Sequence, residues 1–332
     1  MSLIPLIDLL ADKRNSTKEV HLIWFEHCNL TCTFCHQDHD SIVGMDSIFE
    51  KTKDTIARLD PAIEYKVNVT GGELFHDGIA DEIFPIYLES IKLILDELPL
   101  ADVVIGTNLV FKPSRLIGLM DDLDKGGYGG RYSVSTSYDP AGRFNAVQLK
   151  LFLENIALTE FRERISTVNV VITKQNIDSV LSGRCKVELD WLYASYPLYF
   201  DHFIANFNYA IYQPSEERIL EFFLYMREHY PESSPIREMS DGRFGELTCQ
   251  STIIFTDDNK MVTCWGEAGK DKTMDYQEGL VRKNAAEQEF LEFYGCLSCE
   301  YYRRCTMRCF LHHRSLDERP PECQIKLLYD AL

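Results

Sequence analysis

The 332-residue sequence predicts an α/β fold with a parallel sheet, followed by a small cysteine-rich domain. Six apolar runs rich in β-branched residues alternate with segments of helical spacing through the first two thirds of the chain. Strands that alternate with helices imply a parallel sheet with right-handed crossovers. The composition then changes, because 7 of the 11 cysteines lie between Cys249 and Cys323. We therefore predict one domain over 1–230 and a second, metal-stapled domain over 231–332.

Each predicted element has its own signal in the sequence. The strands are short β-rich runs, and the helices show large apolar residues at three- and four-residue steps. The segment PESSP at 231–235 carries the turn residues of a linker, and long periodic helices become scarce after it. The predicted strands cover 21–26, 66–70, 103–107, 132–137, 167–172 and 201–206, and the clearest predicted helices cover 83–98, 147–158 and 215–230.

Composition and charge restrict the class of partner. A hydrophobic content of 45% suffices for a packed core, and the net charge of -18 opposes binding to nucleic acid or to an anionic membrane. A basic peptide or an amine-bearing small molecule fits this sign better. The first 20 residues lack a basic leader and a long apolar core, so we expect a cytoplasmic protein. An odd number of cysteines in tight clusters then favours metal binding over disulfides.

The pattern C-x3-C-x2-C at Cys28, Cys32 and Cys35 is the most informative motif. Three cysteines in one short loop can hold three irons of a 4Fe-4S cluster, which normally takes four thiolates. The fourth iron is then open to a ligand or substrate. A zinc knuckle or scattered core cysteines are the alternatives, and the downstream segment Gly71-Gly72-Glu73 disfavours both.

The triplet and the Gly-Gly-Glu segment together resemble the radical S-adenosylmethionine (SAM) superfamily. The resemblance implies a partial (β/α)6 TIM-like barrel, with the chemistry at the carboxyl ends of the strands. It also implies that the open iron binds SAM and that cleavage of SAM gives a 5'-deoxyadenosyl radical. The predicted positions fit this rule, because the triplet follows the first strand and Gly71-Gly72-Glu73 follows the second.

The resemblance further implies which residues bind SAM. The Gly-Gly-Glu segment would bind the amino group, since glycines permit close approach and a carboxylate pairs with an ammonium. The adenine would lie near an aromatic side chain, and strand ends would contact the ribose or carboxylate; a core or turn position is the alternative for each of these. The candidates are Gly71, Gly72, Glu73, Phe34 and Ser135, with Asn108 and Arg143 as weaker ones.

Two further features carry open alternatives. The polar segment 36–40 follows the triplet, and we favour a solvated loop over a proton-accepting or substrate-binding site. Cys185 is the only cysteine outside the two motifs. It is a candidate hydrogen-atom donor to a substrate radical, although a core cysteine is the favoured interpretation.

The C-terminal cysteines resemble the SPASM domain of radical SAM enzymes, which houses two auxiliary clusters. Their order is two single cysteines, then C-x2-C-x5-C-x3-C, then a final cysteine. Structural zinc is the alternative. Asn259 replaces a glycine usual in the family, and asparagine tolerates the same left-handed turn. The resemblance assigns Cys249, Cys264 and Cys309 to the first auxiliary cluster, with its fourth ligand open, and Cys296, Cys299, Cys305 and Cys323 to the second.

These features predict a radical SAM/SPASM oxidoreductase with three [4Fe-4S] clusters that removes hydrogen from a C–H bond. The leading substrate is a ribosomally made peptide, modified by crosslinking, thioether formation or epimerisation. A small-molecule dehydrogenase or epimerase acting on a sugar, aminoglycoside or nucleoside is the second hypothesis, and a non-catalytic Fe-S scaffold or electron carrier is the third. Trp265 replaces an Asp of the sulfatase-maturing relatives, which disfavours that activity.

Two kinds of protein partner are expected. A low-potential electron donor such as flavodoxin or ferredoxin would reduce the cluster that cleaves SAM. Many peptide maturases carry a recognition domain before the cluster motif, whereas only 27 residues precede Cys28 here. A peptide substrate would therefore need a separate peptide-recognition protein or a short binding surface.

Overall fold

A computed structural model describes residues 18–35, 37–202, 210–241, 252–262, 276–302, 305 and 322–331. Its eight strands are β1 (Lys18–Ile23), β2 (Tyr65–Thr70), β3 (Asp102–Gly106), β4 (Tyr132–Ser137), β5 (Ile165–Ile172), β6 (Leu198–His202), β7 (Thr252–Phe255) and β8 (Met261–Val262). They form one sheet in the order β6-β5-β4-β3-β2-β1-β7-β8. Cys249, Cys264 and Cys309 lie outside the described residues, as do His36 and Trp265.

The helices of the described residues connect these strands and then cover one face of the sheet. None of them is both long enough and apolar enough to cross a membrane. They are α1 (Ile48–Ile56), α2 (Phe84–Glu97), α3 (Ser114–Lys125), α4 (Ala146–Ile156), α5 (Thr159–Arg162), α6 (Lys174–Leu181), α7 (Lys186–Ser195), α8 (Glu216–His229), α9 (Ile236–Ser240), α10 (Tyr276–Phe293) and α11 (Gln324–Ala331), with single 3-10 turns at Met45–Ser47, Asp81–Ile83, Ala210–Tyr212 and Cys296–Ser298.

The predicted α/β fold is confirmed. Strands β1 to β6 are all parallel and adjacent in chain order. Each begins within three residues of its predicted position. Strand β1 ends earlier than predicted because its pairing with β2 stops at the bond from the Trp24 amide to the Thr70 carbonyl, 3.0 Å long. The residues 24–26 instead lead into the cysteine loop.

The two faces of the parallel sheet differ in the manner expected of a period-two pattern. On the helix-covered face, side chains such as Val67, Ile105 and Val134 are at most 1% exposed. The opposite face carries smaller polar residues that are half-buried, among them Thr70 and Ser135. The core therefore lies between sheet and helices, and the other face is left accessible near the strand ends.

The sheet is continuous across the predicted domain boundary at 230/231. Strand β7 pairs in parallel with β1, and β8 pairs antiparallel with β7. The segment 231–235, predicted as a linker, packs along β6: the Ser234 amide donates to the Leu198 carbonyl and the Phe200 amide donates to the Ser234 carbonyl, both over 2.9 Å. Ser233 is fully buried. The boundary itself stays a prediction.

The predicted helices do not include α10, which spans 18 residues after the segment 231–235. Its sequence, YQEGLVRKNAAEQEFLEF, is rich in residues with high helix propensity such as Ala, Glu, Gln and Leu. It lacks the regular apolar stripe on which the sequence analysis relied. High helix propensity, and not a periodic apolar face, is therefore the feature of this sequence that predicts α10.

Lys51 on α1 ties the β7–β8 hairpin to the end of β1. Its ammonium donates to the Trp24 carbonyl over 2.6 Å and to the Asp257 carbonyl over 2.7 Å. Burial lowers the pKa of Lys51 to about 8. Gly44 lies against the same group with φ +88°, and a Cβ there would lie 2.1 Å from Nζ. One cation therefore links the hairpin to the end of the strand that carries the cysteine loop, in addition to the pairing of β7 with β1.

The β7–β8 turn confirms the prediction made for Asn259. Ile254 pairs with Val262, and the Thr256 amide donates to the Lys260 carbonyl over 2.9 Å. Asn259 adopts φ +62°, the left-handed conformation that glycine would supply. Within the described residues, its buried Oδ1 accepts no hydrogen bond. The requirement at this position is therefore one of backbone conformation.

We expect Asn259→Ala to lower the free energy of unfolding by about 1 kcal/mol, because alanine tolerates the left-handed region less well than asparagine. The matched variant Asn259→Gly is expected to be neutral or stabilising. Urea-denaturation midpoints of the three proteins would measure this. Equal loss in both variants would contradict the conformational explanation.

Candidate active site

The three cysteines of the triplet lie in a tight loop after β1. The Cys35 amide donates to the Cys32 carbonyl over 3.0 Å, which closes a turn between them. Two outside contacts fix the loop: the Cys28 amide donates to the His39 carbonyl over 3.0 Å, and the Thr33 amide donates to the Gly142 carbonyl over 2.8 Å. None of the three cysteines forms a disulfide, and Cys32 has the least exposed side chain of the three.

The protonation of these thiols follows from their burial. Burial raises the pKa of Cys28 to about 12 and that of Cys35 to about 11, and it raises the pKa of Cys32 as well. The nearby charge of Arg143 acts in the opposite direction on Cys32 and Cys35. Three thiols in one loop beside a cation are a donor set that fits an anionic iron-sulfur cluster. Binding of iron would have to release the thiol protons.

No group of three His, Cys, Asp or Glu side chains within the described ranges is arranged to hold a single metal ion.

Gly71 and Gly72 join the end of β2 to the segment that precedes Cys28. The Gly72 amide donates to the Phe25 carbonyl and the Glu73 amide donates to the His27 carbonyl, both over 2.9 Å. A Cβ on Gly72 would lie 1.9 Å from the His27 carbonyl oxygen, and one on Gly71 would lie 2.5 Å from that of Phe25. Glycine is therefore required for the approach of two backbone segments. That these glycines also let SAM approach the backbone stays a prediction.

Glu73 is fully buried and accepts hydrogen bonds from the end of β3. Thr107 Oγ1 lies 2.9 and 3.0 Å from its two carboxylate oxygens, and the Asn108 amide donates over 2.5 Å. The Phe75 amide adds a further bond of 3.0 Å. Burial nevertheless raises the pKa of Glu73 to about 7, since desolvation outweighs these donors. The carboxylate is thus held in a defined position next to the cysteine loop.

Asn108 connects Glu73 to that loop. Its side-chain amide donates to Asn29 Oδ1 over 2.8 Å and lies 3.8 Å from Cys28 Sγ. Asn29 in turn donates to the Val110 carbonyl over 2.6 Å. The structure therefore brings together Cys28, Glu73 and Asn108 from three strand ends. Asn29 was not predicted as a site residue, although its place inside the triplet was a usable signal.

Arg143 and Phe34 lie on the other side of the triplet. The guanidinium donates from Nε to Asp139 Oδ2 over 2.5 Å and lies 5.7 Å from the centre of the Phe34 ring. Asp139 is 1% exposed and also accepts from the Val171 amide over 2.8 Å and from Asn176 over 3.0 Å. The Arg143 charge is therefore fixed near Cys32 by a buried carboxylate. Asp139 was missed as a partner of Arg143, although its place after β4 could have suggested it.

Ser135 lies on β4 with Gly106 and Thr167 as its neighbours on the adjacent strands. Its side chain is half-buried on the accessible face, and its carbonyl accepts from the Thr107 amide over 3.0 Å. A Cβ on Gly106, its neighbour on β3, would lie 3.4 Å from Thr70 Oγ1. A direct SAM contact from Ser135 stays a prediction.

In the described part of the polar loop, 37–40, Asp38 and Asp40 are exposed, as a solvated loop would have them, while Gln37 and His39 are half-buried. Gln37 donates to the Gly71 carbonyl over 3.0 Å and lies 3.7 Å from Cys35 Sγ. The His39 carbonyl accepts from His27 Nδ1 over 2.9 Å as well as from Cys28. These contacts make Gln37 part of the connection between the triplet and the Gly-Gly-Glu segment.

Cys185 lies in the helix layer at the start of α7. It is 5% exposed and bonded to Ser179, and burial raises its pKa. The charges of Glu188 and Arg184 modify that pKa to a smaller degree. These surroundings match the core-cysteine interpretation. The role of hydrogen-atom donor stays a prediction.

The four cysteines assigned to the second auxiliary cluster are all described, and Cys296 and Cys305 each interact electrostatically with Cys299 and Cys323. Burial raises the pKa of Cys296 to about 12, with further increases from the charges of Cys323 and Cys299. Burial also raises the pKa of Cys305, and Cys323, Cys296 and Cys299 add to the effect. Four cysteine sulfurs of this kind fit a closed cluster. The ligands of the first auxiliary cluster lie outside the described residues.

Comparison with solved structures identifies the fold. The chain matches hexahistidine-tagged anSMEcpe with bound AdoMet at a TM-score of 0.63 and 14% identity, covering 95% of this chain and 96% of that one. It matches native anSMEcpe with AdoMet and the Cp18Cys peptide at 0.60 and 15%, covering 95% of each chain. The Streptococcus suis protein SuiB gives 0.51 and 15%, covering 91% of this chain and 75% of SuiB.

These structural neighbours are radical SAM/SPASM enzymes. The predicted resemblance is therefore confirmed at the level of the fold, as is the partial barrel class. No protein-family model and no curated protein matches the sequence.

The buried Glu73 carboxyl predicts a pH-dependent stability of the metal-free chain. Its pKa is raised from 4.5 in the unfolded chain to about 7 in the folded one, so between these values the unfolded form loses its proton first. The contribution of Glu73 to the free energy of unfolding is therefore fully present below pH 4.5. That free energy falls by about 3 kcal/mol as the pH rises to 7. Glu73→Gln should remove this loss. Urea titrations from about pH 5 to 8 would give the difference between the two proteins, and parallel profiles would contradict the assignment.

Proposed function

We propose that this protein is a radical SAM oxidoreductase with a SPASM domain that acts on a peptide. The observation that carries the proposal is the meeting of Cys28, Glu73 and Asn108 at the carboxyl ends of β1, β2 and β3, in a chain with the fold of anSMEcpe and SuiB. An electron carrier would have no use for a buried carboxylate beside its cluster ligands. The scaffold hypothesis therefore receives no support from the site.

In this proposal Cys28, Cys32 and Cys35 hold the cluster that cleaves SAM. When bound, that cluster supplies the electron that splits SAM into methionine and the 5'-deoxyadenosyl radical, which then removes hydrogen from a substrate C–H bond. The chain's own residues bind and orient the reactants. Two auxiliary [4Fe-4S] clusters would be held by the seven cysteines that follow residue 248, with Cys249, Cys264 and Cys309 on the first.

The residues around the triplet each have a proposed part in binding SAM. Glu73 would accept the amino group, because its buried carboxyl is bonded to the Asn108 amide and acts electrostatically on Cys28. Arg143 would face the negative charge of the thiolates and of the SAM carboxylate. Phe34 would lie beside the adenine. Ser135 would contact the ribose from the accessible face of the sheet.

A peptide is the proposed substrate for two reasons. The anSMEcpe structures include the Cp18Cys and Kp18Cys peptides, and this chain shares their fold. The net charge of -18 also favours a neutral or basic substrate. Sulfatase maturation is not proposed, because Trp265 stands where those relatives have Asp. A flavodoxin or ferredoxin is the proposed electron donor, and a separate recognition protein is the proposed carrier of the peptide.

The test is anaerobic reconstitution with iron and sulfide, followed by SAM and dithionite. Formation of 5'-deoxyadenosine without substrate would support SAM cleavage, and bound zinc or intact SAM would overturn the proposal. A panel of peptides would then be added, and separately a panel of sugars, aminoglycosides and nucleosides. Stimulation by the second panel alone would assign a small-molecule substrate instead.

Replacement of Cys28, Cys32 or Cys35 by Ala should abolish 5'-deoxyadenosine formation, since two thiolates cannot hold the open cluster. The matched control is Cys185→Ala, which removes a thiol from the helix layer. It should retain SAM cleavage, because the role predicted for Cys185 concerns the substrate radical. Product is measured by chromatography, and activity that survives loss of a triplet cysteine would count against the assignment.

Cys296→Ala should lower bound iron and solubility at least as much as turnover. Cys323 directly precedes α11, and Tyr301 stacks on Tyr329 of that helix at 5.0 Å, so the cluster ligands and the C-terminal helix are structurally linked. We expect a loss of about four irons per chain. Iron per chain and soluble yield would be compared with Cys28→Ala. A full iron content with normal solubility would refute this role.

A further inference from the structure

The loop 107–111, between β3 and α3, has a conformation that its own residues do not favour. Leu109 is fully buried and adopts φ +56°, a left-handed conformation that is uncommon for a residue other than glycine. Such a conformation persists only where the surroundings fix it, and it tends to occur at functional sites. The loop carries Asn108, which bonds to both Glu73 and Asn29.

Three successive carbonyls of this loop are bonded by side-chain amides. Asn155 Nδ2 donates to the Leu109 carbonyl over 2.8 Å and to the Phe111 carbonyl over 2.7 Å. The carbonyl between them, that of Val110, accepts from Asn29. Asn155 lies near the end of α4 and is 4% exposed, so water does not replace it readily. One buried amide group therefore fixes two carbonyls, that of the left-handed residue itself and that of the residue two positions after it.

We propose that Asn155 is a positioning residue for SAM, acting through the loop 107–111 on Asn108 and Glu73. This inference rests on the proposed function. Without the two bonds from Asn155, the Leu109 and Phe111 carbonyls would be buried and unpaired. The loop would then relax toward a right-handed Leu109, which would turn the Asn108 amide away from Glu73. Asn155 itself needs no contact with SAM in this arrangement.

The test compares Asn155→Leu with Tyr196→Phe. Leucine keeps the number and branching of the side-chain heavy atoms of Asn155 and removes both donors. The Tyr196 hydroxyl donates to the Ile156 carbonyl over 2.5 Å, at the neighbouring residue of the same helix. Its removal therefore also leaves a buried carbonyl of α4 without a side-chain donor, but it does not touch the loop 107–111. Thermal unfolding would report the loss of stability in each variant.

Two measurements separate positioning from general destabilisation. The first is amide hydrogen exchange at Asn108 and Val110 in the protein without SAM. The second is the Kd of SAM for the reconstituted protein, by equilibrium dialysis. We expect Asn155→Leu to accelerate exchange at both amides and to weaken SAM binding by about tenfold, the loss of roughly one hydrogen bond. Tyr196→Phe should change neither by more than about twofold.

An unchanged exchange rate in Asn155→Leu would overturn the proposal, as would equal weakening of SAM binding in both variants. If the parent protein binds no SAM after reconstitution, the proposed function fails and the inference fails with it. If the parent binds SAM and Asn155→Leu binds it equally well, only the positioning role fails.

Discussion

The site depends on the close backbone contact between Gly72-Glu73 and the residues 25–27. Two amides of the first segment donate to carbonyls of the second, and a Cβ at residue 72 would lie 1.9 Å from the His27 oxygen. This contact sets where Cys28 begins its loop relative to Glu73. Because Glu73 also binds the end of β3, three strand ends share one hydrogen-bonded arrangement. The relative positions of Cys28, Glu73 and Asn108 at this edge of the sheet are therefore set by hydrogen bonds within the protein.

Much of the fold was predictable because its signals are local. Short runs rich in β-branched residues alternate with helical segments, which predicts parallel strands, and motifs at the carboxyl ends of such strands must meet at one edge of the sheet. The left-handed Asn259 was predictable from the same kind of local chemistry. The burial of Glu73 and its bond to Thr107 were not, because they depend on partners 34 residues apart. The length of α10 was missed since its sequence shows propensity without a stripe.

Contacts between residues far apart in the sequence also join the two predicted domains, 1–230 and 231–332. Strand β7 adds to the parallel sheet beside β1, and Lys51 joins its hairpin to the Trp24 carbonyl just before the cysteine loop. Segment 231–235 covers the other edge at β6. Residues of the predicted second domain thus lie at both edges of the sheet that carries the triplet: the β7–β8 hairpin at one edge and the segment 231–235 at the other. A change at the hairpin would reach the residues before Cys28 through the half-buried Lys51 ammonium and through the pairing of β7 with β1.

The charges of the site favour binding of a cationic group together with release of protons. Burial leaves Glu73 with a pKa of about 7, so at neutral pH the metal-free site holds a carboxyl that is only partly ionised. An ammonium that approached Glu73 would lower this pKa and displace the remaining proton. The thiols of Cys28 and Cys35, with pKa values of about 12 and 11, also lose protons only when a metal binds. Both steps become easier as pH rises, so assembly of the complete site should be favoured on the alkaline side of neutrality.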